Sequence, residues 1–158
     1  MTRRARWLLV AAFTAAAFHA PALWAAACTT AASGNWSTAG TWNAPCNVAG
    51  GPTASDTVTI GATHTVTLTA NAAASTLTIA AATANNGMTL AGNTLAVTGA
   101  VTMTAVSTNN ITSTLNVGSG ALTAASVSIA GGAANRVALL TVSTGTVTTT
   151  GSITFSGT

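Results

Sequence analysis

The chain contains no lysine, glutamate or tyrosine, and Asp56 is its only acidic residue. Three of its four arginines stand before Ala20. Beyond this N-terminal segment, Arg136 is the only arginine. Binding of nucleic acid requires clustered lysine and arginine, so no nucleic-acid partner is expected. Glycoside hydrolysis requires two facing carboxylates, and calcium sites also use several acidic ligands. We therefore expect no enzyme activity, with no catalytic residue, no metal site and no cofactor.

The N-terminal segment has the layout of a secretory signal peptide. Basic residues precede an apolar run from Trp7 to Phe18, and Ala25-Ala26-Ala27 supplies an A-x-A cleavage pattern. A membrane anchor is the alternative, but Pro21 interrupts the apolar run short of the roughly 20 residues that a span needs. Residues 1–27 are therefore predicted to be a cleaved helical signal peptide. The mature protein would be exported to the extracellular space or the cell surface, or alternatively the periplasm, with no membrane span.

Both cysteines, Cys28 and Cys46, fall near the start of the mature chain. An even pair in an exported protein predicts a disulfide, because the compartments outside the cytosol are oxidising. A closed loop of this size stabilises the fold by about 3 kcal/mol in the chain-entropy model. The alternative is that Cys28 is a lipidated first residue, which would leave Cys46 unpaired. A zinc site is not expected, because two cysteines and the distant His64 do not give tetrahedral spacing.

From Asp56 onward the sequence repeats short runs in which apolar residues alternate with Thr, Ser or Asn. This period of two predicts strands with one buried and one wet face, separated by turns rich in Gly and Asn, including Asn85-Asn86 and Gly87. The predicted inward residues are Val58, Ile60, Val66, Leu68, Leu77, Ile79, Leu95, Val97, Val101, Met103, Leu115, Val117, Val127, Ile129, Leu140, Val142, Ile153 and Phe155.

Two all-β architectures fit such strands, a β-sandwich and a parallel β-helix, which is a solenoid of stacked rungs. A sandwich core usually needs large aromatic residues, and after Trp42 the chain has only Phe155. The supply of small aliphatic residues favours the solenoid over residues 56–158. Residues 28–55 would then form a cap, in which Trp36 and Trp42 cover the first rung and the disulfide staples the segment down. The alternative role for Trp36 and Trp42 is ligand stacking, against a sugar.

The order of these motifs resembles the opening of many large bacterial surface and secreted proteins. The resemblance lies in GNWSTAGTWN, the following cysteine, Gly51-Pro52 and SDTVTIGATHTVTLTANAAASTLTIA, and it covers roughly residues 28–100. Similar segments occur in adhesin-like proteins and in proteins of mannose-sensitive haemagglutinin pilus biogenesis. The resemblance implies a right-handed parallel β-helix with a structural role at the cell surface, and it transfers no catalytic residues.

These observations predict an exported structural or adhesive module, a rigid solenoid segment of a larger bacterial surface protein. Its expected partners are a C-terminal remainder of the same protein, because the pattern stops without a polar terminal rung, and surface glycans or other cells. The alternative is the carbohydrate-binding part of a polysaccharide-acting β-helix protein whose catalytic residues lie beyond residue 158. A flat face of ranked Thr-x-Thr pairs could also bind ice, but the unequal intervals between the pairs along the sequence disfavour the regular array that this requires.

Overall fold

A computed structural model describes residues 25–157 of the chain. Most of the predicted signal peptide, residues 1–24, lies outside the described residues. The described part contains fifteen β-strands and one short 3-10 helix, Ala39–Thr41. The strands are β1 Ala27–Thr29, β2 Gly34–Asn35, β3 Thr57–Ile60, β4 Thr65–Thr67, β5 Ala72–Ala74, β6 Thr76–Ile79, β7 Asn86–Thr89, β8 Thr94–Val97, β9 Ala100–Met103, β10 Ile111–Gly118, β11 Ala121–Ala124, β12 Ser126–Ala130, β13 Arg136–Val142, β14 Thr146–Thr149 and β15 Ile153–Ser156.

The strands form three sheets in which every named pair is parallel. Sheet I has six strands in the order β1-β3-β6-β9-β12-β15, sheet II has five in the order β13-β10-β7-β4-β2, and sheet III has four in the order β14-β11-β8-β5. The chain visits sheets I, II and III in turn from β3 onward, so each circuit adds one strand to each sheet. The result is a β-solenoid of about four turns, which confirms the predicted stacking of rungs.

The interior is filled by aliphatic side chains stacked from one rung to the next. In sheet I, Val58 lies beside Leu77, and Leu77 lies beside Val101. Each of the predicted inward residues from Val58 to Ile129 is buried. The solenoid interior is therefore the core that the two-residue alternation predicts, with mainly apolar groups inside and most hydroxyl groups outside.

The last rung keeps the inward register but lacks a further rung above it. Leu140 pairs with Leu115 and is half-buried, and Phe155 pairs with Ile129 but is 70% exposed. Val142 pairs with Gly118 across a register shift and is exposed. The four predicted inward residues that are not fully buried, Leu140, Val142, Ile153 and Phe155, all belong to this rung.

Strand β7 occupies residues that the sequence pattern assigns to a turn. Asn86 and Gly87 both lie within this strand. Gly87 has φ of +147°, and a Cβ there would stand 2.0 Å from the backbone oxygen of Thr114 in the next rung. Glycine thus allows a close approach between strands at this position, and the turn prediction for Asn86 and Gly87 is wrong. Within residues 25–157, no helix is long and apolar enough to cross a membrane.

Candidate binding surfaces and the N-terminal cap

Trp36 and Trp42 close the N-terminal end of the solenoid. Their rings meet edge to face, with centroids 5.2 Å apart and an angle of 74° between the planes. The two residues are only 3% and 2% exposed. The Trp42 Nε1–H donates to the Trp36 backbone oxygen at 2.7 Å, and the Trp36 Nε1–H donates to the oxygen of Pro52 at 3.2 Å. Both indoles are thus buried with their polar atoms paired, as a cap requires.

The backbone around the cap ties it to the first rungs. The Trp36 N–H donates to the oxygen of Thr67, at the end of β4, at 2.9 Å. Gly51 passes over this segment with φ of +68°, and a Cβ there would lie 2.1 Å from the Trp36 oxygen. The cap is therefore compact enough that only glycine fits at position 51.

The predicted disulfide between Cys28 and Cys46 is present. Cys28 lies in β1 and pairs with Val58 of β3, whereas Cys46 belongs to the loop of the cap. Their Cα atoms are 5.5 Å apart, and both residues are buried. The bond thus joins the cap loop to the first strand of sheet I. The sequence predicted the pair from an even number of cysteines in an exported protein. The fold adds that the bond holds the cap against the first strand of sheet I.

Asp56, the only carboxylate of the chain, organises the turn that leads into β3. Its Oδ1 accepts the Ala26 N–H at 2.8 Å, and its Oδ2 accepts the N–H and the hydroxyl of Thr53 at 2.7 and 2.8 Å. Burial on its own raises the pKa of Asp56, but the hydrogen bonds from Thr53 and Ala26 outweigh it and lower the pKa below its usual 3.8. Asp56 therefore acts in this turn as an acceptor of the backbone N–H groups of Ala26 and Thr53.

The other ionisable side chains of the described region serve separate contacts. His64 Nδ1 lies 2.8 Å from the Thr30 hydroxyl, which also accepts the Gly61 N–H at 2.8 Å. The Arg136 Nε–H donates to Asn109 Oδ1 at 2.8 Å, which links neighbouring rungs. His64, Arg136 and Asp56 are therefore engaged with three different parts of the fold, and none of these contacts joins two of them.

One group of metal-type ligand atoms comes together beneath the cap. The sulfur atoms of Cys28 and Cys46 and a carboxylate oxygen of Asp56 lie within 4.8 Å of one another. Metal binding by cysteine requires the thiolate form, and these two sulfur atoms are bonded to each other. The oxygen atoms of Asp56 also accept three hydrogen bonds. This group therefore stabilises the cap and offers no free donor set while the disulfide is intact.

Sheet I presents a continuous outward column of hydroxyl groups. Strand register places one threonine or serine on each of its six strands, side by side: Thr29, Thr59, Thr78, Thr102, Ser128 and Thr154. Adjacent strands lie about 4.8 Å apart, so these side chains repeat at that spacing. The unequal sequence intervals come from the turns, which absorb the differences in length. The interpretation that they disfavour an aligned array is wrong for this face.

The outward columns of the other two sheets are less uniform. On sheet II one column runs through Asn35, Thr67, Thr89, Asn116 and Thr141, and the next runs through Thr65, Gly87, Thr114 and Leu139. On sheet III the central column runs through Ala73, Ala96, Thr123 and Thr148. Sheet I is therefore the face whose column consists of hydroxyl side chains alone, and with six strands it is the larger candidate contact surface.

A shallow cleft of about 310 Å³ lies beside the cap. Its polar lining includes Ser37, Thr53, Thr69 and Asn71, and Trp36 forms part of its wall. Ser37 and Thr69 are 3.3 Å apart between their hydroxyl oxygens. The volume is at the lower end of the range for small-molecule sites. The ligand-stacking role of Trp36 and Trp42 stays a prediction.

No protein-family model matches this chain, and no significant match is found among curated proteins or solved structures.

Replacement of Trp42 by alanine should lower the free energy of unfolding by about 3–5 kcal/mol, because it removes a buried indole and leaves a cavity under the cap. Urea titration followed by circular dichroism measures this change. The matched control is Val48→Ala, since Val48 is 53% exposed in the same region. A loss for Trp42→Ala that is no larger than the loss for Val48→Ala would contradict the role of the cap.

Acid should destabilise the protein through Asp56. Because the folded pKa of Asp56 lies below the unfolded value, its contribution to stability is fully present above about pH 4 and is lost as the pH falls through the folded pKa. Urea titrations between pH 7 and pH 2 measure this dependence. No other side-chain carboxylate exists in the chain, so Asp56→Asn should remove most of the dependence below pH 4. An unchanged profile in Asp56→Asn would show that Asp56 is not responsible.

Proposed function

We propose that this protein is an exported structural or adhesive module of a bacterial surface, built on a right-handed parallel β-helix. Connections between parallel strands of one sheet are right-handed in about 98% of known cases, which supports the handedness. A solenoid of stacked rungs is a rod, because each rung contacts only its neighbours along one axis. Such a rod spaces or displays groups at a surface without any chemistry of its own.

The single observation that carries this proposal is the disulfide-stapled cap at one end of the solenoid. The Cys28–Cys46 bond fixes the loop that holds Trp36 and Trp42 over the first rung. Disulfides persist in oxidising compartments and are rare in the bacterial cytosol. A fold whose end is closed by a disulfide keeps that end closed in an oxidising compartment outside the cytosol. This agrees with the predicted signal peptide.

The outer surface supports an adhesive role more than a catalytic one. Sheet I offers a column of hydroxyl groups over six strands, which can exchange hydrogen bonds with polar polymers such as surface glycans. The single carboxylate is buried in the turn before β3 and already accepts three hydrogen bonds. Two-carboxylate chemistry would need acidic groups that this sequence does not have.

The second candidate function is carbohydrate binding within a polysaccharide-acting protein. The cleft beside Trp36 favours it, because Ser37, Thr69 and Asn71 place hydroxyl and amide groups around one concave site. In that case Asn71→Ala should abolish glycan binding, whereas changes on sheet I such as Thr102→Ala should not. If sheet I is the adhesive surface instead, Thr102→Ala should abolish glycan binding and Asn71→Ala should not.

Export can be tested with the full chain carrying a C-terminal epitope tag in a bacterial host. We expect the tagged protein outside the cytosol, with thiols that react with an alkylating probe only after reduction. The matched control lacks residues 2–27 and should stay in the cytosol with both thiols reactive. Retention of the full chain in the cytosol at full length, with reactive thiols, would contradict the proposed function.

A further inference from the structure

Among residues 25–157, no cationic side chain bonds to the buried carboxylate of Asp56. Asp56 is only 6% exposed, and its three hydrogen bonds come from the Ala26 N–H and from the N–H and hydroxyl of Thr53. Buried charges in proteins are normally paired with an opposite charge, because removal from water is costly. A cation at this position would therefore complete the site.

The described residues offer few candidates for that cation. Beyond Asp56, the ionisable side chains of residues 25–157 are His64 and Arg136, since both cysteines are in the disulfide. His64 contacts Thr30, and Arg136 contacts Asn109. The nitrogen that reaches Asp56 Oδ1 is instead the backbone nitrogen of Ala26, at 2.8 Å. A main-chain nitrogen carries a positive charge when it is the first in the chain.

We propose that the signal peptide is removed by hydrolysis of the Ala25–Ala26 peptide bond, so that the α-ammonium group of Ala26 forms a buried ion pair with Asp56. Water adds across this bond: its hydroxyl group joins the Ala25 carbonyl carbon, and the released amine of Ala26 takes up a proton. The products are the Ala25 carboxylate on the leader and the Ala26 ammonium on the mature chain. The α-amino group has an ordinary pKa of about 8, so it is mostly charged at neutral pH.

The contacts of Ala26 and Ala27 support this position over cleavage after Ala27. The Ala26 oxygen accepts the Thr57 N–H at 2.8 Å, and Ala26 packs against the core. Ala27 begins β1 and pairs with Thr57. Cleavage after Ala27 would remove all of these contacts, whereas Ala25 is exposed. The fold therefore holds the chain from Ala26 onward.

The sequence at the proposed bond meets one of the two features of a signal peptidase site. Ala25 supplies the small residue that precedes the cleaved bond. Leu23 then stands three residues before the bond, so the pattern departs from A-x-A, which Ala25-Ala26-Ala27 satisfies. The cleaved bond is therefore assigned from the contacts of Ala26 and Ala27 in the folded chain, and not from the pattern of residues before the bond.

This inference rests on the proposed export of the protein, and its test separates the two. The full chain is produced in a bacterial host, and the exported protein is examined by intact mass and N-terminal sequencing. A first residue of Ala26 supports the inference. A first residue of Cys28, lipidated or free, or any other cleaved terminus, overturns the inference and leaves export standing. An uncleaved chain that stays in the cytosol overturns both.

The ion pair itself is tested on the same purified protein with an amine-reactive probe. The chain has no lysine, so the α-amine is the only primary amine in the mature protein. We expect labelling of the folded protein at pH 7.5 to be about five-fold slower than labelling in urea, or slower still, because the ion pair with Asp56 holds the amine in its unreactive ammonium form. Asp56→Asn should restore fast labelling.

Equal labelling rates in the folded and urea-unfolded wild-type protein would overturn the ion pair even if the first residue is Ala26. This comparison needs only the wild-type chain, so it stands if Asp56→Asn fails to fold. The control Thr53→Val removes one hydroxyl donor to Asp56 and leaves its charge unchanged. It should keep the slow labelling of the wild-type protein.

Discussion

The fold depends on the register of its parallel strands, which places like residues over like from one rung to the next. In the inner rungs, each inward aliphatic side chain lies beside its counterparts in the rungs above and below, as Leu77 does between Val58 and Val101. Because successive side chains of a strand point to opposite faces, a shift by one residue would turn this entire set outward. The same register aligns the hydroxyl groups outside. Core and outer surface are therefore two consequences of one constraint.

A solenoid held together in this way has an end that must be covered, and the N-terminal segment covers it. Trp36 and Trp42 provide large apolar area where no earlier rung exists, and the disulfide holds their loop to β1. Asp56 gathers the chain at the same end by accepting groups from Ala26 and Thr53. Both tryptophans, both cysteines and the one side-chain carboxylate of residues 25–157 are thus concentrated at this end, where stacking alone cannot provide stability.

The sequence predicts the strands that alternate large apolar and polar residues, because that pattern reports directly which face is buried. It does not predict β5, Ala72–Ala74, β7, Asn86–Thr89, β11, Ala121–Ala124, or β14, Thr146–Thr149, because each of these strands has at most one large apolar residue. Their place follows from the rungs on either side. The aligned hydroxyl column is also invisible in the sequence, since turns of different length separate Thr59, Thr78 and Thr102. The disulfide and the cap were predictable from residue type and order, whereas the contact between Asp56 and Ala26 required the fold.

The register is tested most directly by engineered cysteine pairs in β6 and β9. Thr78 and Thr102 are partners across these strands, and partners about 4.8 Å apart are within the range for a disulfide. The account predicts that Thr78→Cys with Thr102→Cys forms an intramolecular disulfide in the folded protein, detected by mass spectrometry after alkylation. The offset pair, Thr78→Cys with Thr104→Cys, should remain reduced. A crosslink in the offset pair, or none in the matched pair, would contradict the parallel register.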